Sequence, residues 1–594
     1  MIQIKVCCGL NCAAHGGQEL LAMLEESEEL AGRVEVAPVP CLQCCQDGEQ
    51  SPVVQIGNET LSRVSSATAG DPGALDEGIG MALAQLDIFE KMRGLYTPVM
   101  SIRRKVLVAV ARLIREGKPP QAIEAIPYEI ITHNTPTYRD CVFKERAVAR
   151  ERVRLALGQD LREFGAHEPV IDHPEPSLTD HRVVEKPYVA VIKIACERCP
   201  GKSYIVSDQC MGCVARPCVS VCSKNAVKVS GGKSRIDQGK CINCGRCAQV
   251  CPYNAILYRE RPCESACGVN AIEADAEGFA EIRNEKCVSC GLCVVSCPFG
   301  AIGEKSEMAQ VLHAIRSGLP VWAELAPSFV GQFGPLATPQ KILAAVRALG
   351  FAGTAEVAYG ADIAILEEGE KVLEVYRARQ ADPGAPQTFV GTSCCPSWVR
   401  AARQAFPDLA TCIQDSSTPM VETAKRIKAE VPDAKVVFIG PCVSKKAEVS
   451  ELREARIVDF VLTYEELGAI FQAAGVDPAS IPDEAAAPEA STAGRAYPVA
   501  GNVALAIAAA ARHHAGDPLD GLVHRTAESL ADCLGLLKEI QQGKLKPVPH
   551  LVEGMGCPRG CIGGPGTLAP LNRAKAAVAS FAKEAPLGMP EERK

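Results

Sequence analysis

Two runs of cysteine constrain this chain more than any other feature. Residues 241–252 read "CINCGRCAQVCP" and residues 287–298 read "CVSCGLCVVSCP", both C-x2-C-x2-C-x3-C-P. Three thiolates so close together can wrap one face of an iron–sulfur cube, and the fourth cysteine, with its proline, carries the chain towards a second cube. The whole chain has 30 cysteines in 594 residues, so many thiols need an explanation. Disulfides need an oxidising compartment. The opening "MIQIKVCCGLNC" reads as a strand entering a cysteine loop rather than as an export signal, so a cytoplasmic location is expected. Metal ligation is the better reading. Thiolates select zinc, copper(I) or iron–sulfur clusters, and zinc ribbons rarely pack four cysteines this tightly.

The two runs match the bacterial ferredoxin pattern and belong to a repeat of about 46 residues. Ahead of the first lie Cys210, Cys213, Cys218 and Cys222; ahead of the second lie Cys263 and Cys267. The second unit lacks a leading C-x-x-C, since Ala255 and Tyr258 stand there, but Cys196 and Cys199 form one upstream. If they fill the gap, sixteen cysteines make four 4Fe–4S clusters. The expected sets are Cys210, Cys213, Cys218 with Cys251; Cys241, Cys244, Cys247 with Cys222; Cys196, Cys199, Cys263 with Cys297; and Cys287, Cys290, Cys293 with Cys267. The alternative is three clusters and a spare C-x-x-C.

The N-terminus has other spacings: Cys7 and Cys12, then Cys41 and Cys45 in "CLQCCQDG", followed by a β-hairpin expected around Gly57-Asn58. This resembles the thioredoxin-like 2Fe–2S ferredoxins, with zinc or a redox dithiol as the alternative. The chain then divides into 1–90, that domain; 91–186, a helical connector; 187–304, the ferredoxin-type domains (α+β); and 305–594, a larger α/β domain. In the connector, Ile102, Val106, Val110 and Leu113 or Ile114 share one helix face, and Arg103, Arg104, Lys105, Arg112 and Arg115 make the helix basic. That basic face is either simply solvated or a docking surface for an acidic electron carrier. Residues 166–187 read as linker.

Charge bounds the function class. Lys+Arg is 63 against Asp+Glu 71, a net of −8, which argues against a general nucleic-acid binder. There is no apolar run long enough for a membrane span.

From 305 onward, short apolar segments run into Pro, Gly or Cys loops: "PVWAELAPS", "TFVGTSCCPSW", "VVFIGPCVSKKAE" and "HLVEGMGCPRGC". Helical patterns separate them. Strand–loop–helix alternation implies parallel strands, and sites in such sheets form at the carboxyl strand ends. Four loops would then bring Cys394, Cys395, Cys442, Cys557 and Cys561 together.

"TSCCPSW", "PCVSKKAE" and "GMGCPRGCIGG" resemble, in order, the three signature motifs of FeFe-hydrogenases, and "IGPC" and "CIGGPG" look like that family's group B branch. The resemblance implies reversible combination of two protons and two electrons into H2 at an H-cluster. Cys395, Cys442, Cys557 and Cys561 would hold its 4Fe–4S cube. Cys561 would also bridge to a di-iron subsite bearing CO, cyanide and an azadithiolate. The glycines near Cys561 would let the backbone pass that cofactor. Cys394 would relay protons, Glu368 would continue the path, and Lys445 would donate to a cyanide. Met555 would pack beside the subsite, and Ser328 with the backbone around Ala326 and Pro327 would donate to the other cyanide. Ferredoxin or a similar carrier and maturation proteins are the implied partners; a homo-oligomer is possible.

Several positions depart from the family pattern. Gly440 stands where a methionine is usual, Gly556 replaces an alanine, and Lys371 stands where a second proton-path glutamate would be, with Glu370 adjacent. The serine-bearing segment has become "QDSSTPM". Residues 475–496 read as a flexible insertion. His513 and His514 are expected near the C-terminus of the helix "VALAIAAAARHH". Two rival functions are an H2 sensor and an iron–sulfur carrier lacking the di-iron subsite. The presence of Cys394 and Lys445 speaks against the carrier, and no kinase-like segment following the domain is evident to support the sensor.

Overall fold

The computed structural model describes residues 2–7, 21–22, 34–39, 53–56, 59–62, 97–163, 178–382, 388–452, 457–483 and 490–592. Near the N-terminus, Ile2–Cys7 pairs in parallel with Val34–Val39 and antiparallel with Val53–Ile56, which pairs antiparallel with Glu59–Ser62. The expected hairpin thus has its two strands, while Gly57-Asn58 lies outside the described residues. Cys7 ends its strand; Cys12, Cys41 and Cys45 lie outside the described residues.

The basic helix is Pro98–Arg115. Thr97 caps it by accepting the Met100 N–H at 3.3 Å, with Pro98 in the first turn, where its missing N–H costs nothing. Its buried face carries Val106, Val110, Leu113 and Ile114, each burial being worth about 2 kcal/mol. That face belongs to the same hydrophobic core as Val321, Leu325, Val437 and Phe460 of the C-terminal parallel strands, so this helix is packed into the α/β region rather than strung between domains. Its charges are partly spent there: Arg103 and Arg104 pair with the buried Glu465 at 2.8 and 3.0 Å. The second helix, Val142–Ala156, follows. Of the presumed linker, the described part is anchored. Arg182 pairs with buried Glu307 at 2.7 Å and Val184 is buried.

Residues 187–304 form small units of two-stranded antiparallel ribbons, Ser203–Val206 with Ile256–Arg259, Val227–Ser230 with Lys233–Ile236, Ile272–Ala274 with Ala280–Ile282, and Val189–Val191 with Ile302–Glu304. Four short helices carry Cys218, Cys247, Cys263 and Cys293. The turn after each of Cys222, Cys251, Cys267 and Cys297 has a left-handed residue, Asn225, Asn254, Asn270 or Gly300. Asn and Gly are the residues that tolerate this conformation. Each such turn aims the next N–H, of Ala226, Ala255, Ala271 or Ala301, back at the cysteine sulfur at 3.2–3.4 Å.

The C-terminal region is α/β with parallel strands. One sheet has the order Gly353–Glu356, Val321–Leu325, Lys435–Gly440, Phe460–Thr463; another has Val390–Gly391, Leu551–Met555, His524–Glu528. In Lys435–Gly440, Val437 and Ile439 face one core while Val436 and Phe438 face another, the mark of a strand covered on both sides. The long helix Val357–Ala381 packs on Asn502–Ala515, whose last turn holds His513 and His514 as expected. Residues 490–496 are not a flexible insertion: Thr492–Ala496 is a buried helical turn, and Arg495 pairs with Glu356 at 2.8 Å, both largely shielded from water. Residues 484–489 lie outside the described residues. No helix among the described residues is long and apolar enough to cross a membrane.

Candidate active site and cluster cavities

At the carboxyl ends of both sheets lies an open cavity of about 770 Å³, the solvent space at its mouth included. Ala326, Pro327 and Ser328 follow the strand Val321–Leu325; Cys394 and Cys395 follow Val390–Gly391; Pro441 and Cys442 follow Lys435–Gly440; Gly556, Cys557 and Cys561 follow Leu551–Met555. Lys445 and Met555 line it too. Residues more than 230 positions apart therefore meet because parallel strands deliver every loop to the same edge.

Burial dominates the chemistry of these thiols. It pushes Cys442 up to about 11, and it holds Cys394, Cys557 and Cys561 well above the ordinary thiol range, with the neighbouring cysteines adding to the effect. Such sulfurs stay protonated until a cation displaces the protons. Gly556 N–H donates to Cys395 Sγ at 3.3 Å. A side chain on Gly556 would stand 3.0 Å from Ser397 Cβ and 3.5 Å from that sulfur, which explains the missing methyl group. Gly440 has a different reason: a Cβ there would meet the Phe438 ring at 2.6 Å, so Phe438 holds the space a larger residue would need. The glycines near Cys561 correct a simple expectation. A Cβ on Gly560 would strike Pro498 O at 2.6 Å and one on Gly563 would strike Pro558 O, so protein backbone itself demands them.

Lys445 is nearly buried, and its ammonium bonds Glu448 at 2.7 Å and Thr418 Oγ1 at 3.1 Å. Burial works against its charge, but Glu448 outweighs burial and the pKa is raised. Two of three N–H donors are thus engaged on the protein side. Ser328 and Tyr464 hydroxyls are 2.8 Å apart, and Tyr464 donates to Ala326 O at 3.1 Å, so the Ser328 hydroxyl donates its one proton to Tyr464 and, contrary to the expectation, not into the cavity. Glu368 lies beneath the Cys394 loop: Ser393 donates to it through N–H at 2.9 Å and through Oγ at 2.6 Å. Burial nevertheless raises it to about 6.

Sequence reading missed four residues here. Glu448 and Thr418 hold Lys445. Tyr497 lines the cavity facing Cys394. Glu324 is fully buried with neither carboxyl oxygen hydrogen-bonded, and burial raises it well above the carboxylate range. Only the placement of Glu324 in an otherwise apolar strand, "PVWAELAPS", was a visible signal.

Three further cavities sit in residues 187–304. One of about 330 Å³ is lined by Cys210, Cys213, Cys218 and Cys251; another of about 370 Å³ by Cys222, Cys241, Cys244 and Cys247; a third of about 320 Å³ by Cys196, Cys199, Cys263 and Cys297. Burial raises Cys287, Cys290 and Cys293, and the nearby Cys267 adds to the effect on each of the three. Cys290 in turn feels Cys442, and Cys557 feels Cys290, so this set adjoins the larger cavity. Among the described residues, no three His, Cys, Asp or Glu side chains converge tightly enough for a single metal ion. Twelve of the cysteines line these three cavities in sets of four.

Residues 319–565 match the family model for the iron only hydrogenase large subunit, C-terminal domain; 234–257 match a 4Fe-4S binding domain and 257–308 the LdpA Fe-S cluster-binding domain. The chain is 30% identical over 414 residues to the NADP-reducing hydrogenase subunit HndD of Solidesulfovibrio fructosivorans, covering 60% of this chain and 63% of that one. It is 30% identical over 376 residues to iron hydrogenase 1 of Clostridium pasteurianum, covering 56% of this chain and 64% of that one. The chain therefore spans about three fifths of the length of these relatives. A solved apo FeFe-hydrogenase from Chlamydomonas reinhardtii aligns at 22% identity with a TM-score of 0.39, over 46% of this chain and 87% of that one. Residues 319–565 are thus similar to the iron-only hydrogenase large subunit family, and a 4Fe–4S binding domain is matched ahead of them at 234–257.

Proposed function

We propose that this protein is an FeFe-hydrogenase of the group B type that interconverts H2 with two protons and two electrons. The observation that carries the reading is the meeting of Cys395, Cys442, Cys557 and Cys561 with Cys394 and Lys445 around one cavity. The donor set fits the group: four thiols suit the cube, and the cavity is large and almost wholly apolar apart from these side chains. When bound, the H-cluster supplies an iron centre with an open position beside a basic amine, where protons and electrons combine.

The chain's own residues do the rest. Cys394 hands protons between the cavity and the protein interior, Glu368 takes them up beneath it, and Lys445 offers its remaining N–H to an anionic ligand. Met555 and the Ala326–Pro327–Ser328 turn shape the far wall. We assign one 4Fe–4S cluster to each of the four cysteine sets in 187–304 and a 2Fe–2S cluster to Cys7, Cys12, Cys41 and Cys45 in a thioredoxin-like domain. Electrons would pass to or from a ferredoxin in the cytoplasm, and separate proteins would build the di-iron subsite. The N–H···S bond in each repeat supports the cluster assignment, since such bonds tune the potential.

Anaerobic maturation followed by infrared spectroscopy and an H2 assay tests the proposal. CO and cyanide bands with rapid H2 production are expected. Absent bands would make the protein a cluster carrier, and bands with negligible turnover would make it a sensor.

A further inference from the structure

The two halves of the cluster region carry opposite charge. Residues 203–259, bounded by the ribbon Ser203–Val206/Ile256–Arg259, hold eight Lys+Arg against two Asp+Glu, a net of +6 in a chain whose total is −8. All eight cations are exposed. Residues 260–304 hold three Lys+Arg against eight Asp+Glu, a net of −5. The acidic half lies against the hydrogenase domain: Ser444 Oγ donates to Val288 O at 3.0 Å, and Gly268 and Gly291 are in contact with Leu530 and Val443.

Apolar exposure follows the same division. Of the eleven large hydrophobic residues exposed among the described ones, seven lie in 203–259: Met211, Val214, Ile242, Val250, Tyr253, Leu257 and Tyr258. Val214 is 96% exposed and Met211 69%. Exposed apolar side chains on a small module mark a protein contact. Three of the seven edge the cysteine cavities. Met211 and Tyr253 line the Cys210 cavity, and Ile242, Lys224 and Arg246 line the cavity of Cys244, itself an exposed cysteine. The alternative face, the helix Pro98–Arg115, has Arg103 and Arg104 tied to Glu465.

Resting on the cluster reading above, we propose that residues 203–259 are the docking face for an acidic one-electron carrier protein, with Lys224, Arg246 and Ile242 surrounding the point of transfer at the Cys244 set. The partner brings a carboxylate-rich rim around an apolar centre. One electron leaves the carrier, which is oxidised, and one cluster of the module is reduced; no bond breaks and no proton moves. The concentration of cations steers encounter, and the apolar residues supply the close contact.

The test uses the full-length, cluster-loaded protein. A reduced acidic two-4Fe–4S bacterial ferredoxin is mixed with it in a stopped-flow instrument and cluster bleaching is followed, with reduced methyl viologen as a donor that needs no docking. Binding of the oxidised ferredoxin is measured by calorimetry. The ferredoxin rate should fall about tenfold from 50 to 500 mM salt. The triple variant Lys224→Glu, Lys228→Glu, Arg246→Glu should lose roughly 10- to 100-fold in that rate and in affinity, and lose the salt dependence, while its viologen rate stays within about twofold. A Lys538→Glu variant, reversing an exposed charge elsewhere, should behave as wild type. An unchanged ferredoxin rate in the triple variant, or tighter binding of a duplex DNA oligonucleotide than of ferredoxin, would overturn the docking face while leaving the hydrogenase reading intact. Bleaching by neither donor overturns the cluster reading and the docking face with it.

Discussion

Lys371 donates to Ser416 at 2.5 Å, one turn along the same helix from Glu368. The spacing i, i+3 puts both side chains on one face. The Lys371 charge is among those that favour the Glu368 carboxylate, against burial, which lifts it to about 6. Removing the cation in Lys371→Ala should therefore raise Glu368 further, by up to about 1 unit. If Glu368 must be ionised to accept a proton, the acid limb of the pH profile for H2 oxidation moves to higher pH by that amount. An unmoved limb would detach Lys371 and Glu368 from the proton path.

Cys394 touches the cavity but is outside the four-sulfur set proposed for the cube. Cys394→Ala should leave iron content and the infrared bands of the matured protein in place while lowering H2 turnover by about 10²- to 10⁴-fold, the usual worth of a positioned acid or base. Loss of iron with the substitution would make Cys394 a ligand instead.

Cys196 and Cys199 decide between four clusters and three in residues 187–304. Replacing both by alanine should remove about four irons per chain, one whole 4Fe–4S cluster. Unchanged iron content would leave them as a spare pair.

Glu553 is buried in the strand that leads to Cys557 and accepts N–H bonds from Gly501 at 2.8 Å and Ala504 at 2.7 Å at the start of a helix. Burial outweighs those bonds and raises it from 4.5 to about 7. The folded state thus holds this proton more tightly than the unfolded chain. The stability it contributes is complete below about pH 4.5 and is lost as pH rises to about 7, a change of about 3 kcal/mol. Urea titrations at pH 5 and pH 7.5 should show that decline in wild type and a flatter dependence in Glu553→Gln.

Glu448 compensates the buried Lys445 ammonium. Glu448→Gln should destabilise the domain by about 3 kcal/mol by leaving that charge with Thr418 alone. Lys445→Met combined with it should recover most of the loss in urea denaturation, since the uncompensated charge is then gone.

What the amino-acid sequence determined by itself is local. Ligand spacing within a loop and apolar strands ending in cysteine loops both depend on neighbours a few residues apart, so they can be read along the chain. The order of those strands implied that the loops of Cys394, Cys442 and Cys557 share an edge. Only the tertiary structure decided which charges and hydroxyls meet behind that edge: Glu448 with Lys445, Tyr464 with Ser328, Arg495 with Glu356, Arg103 with Glu465. The last two corrected the expected flexible insertion at its end, 490–496, and the expected solvated helix face at Arg103 and Arg104. Composition could not foresee them, because burying one ion strongly favours a second of opposite sign nearby in space, and nothing in local spacing says which distant segment supplies it.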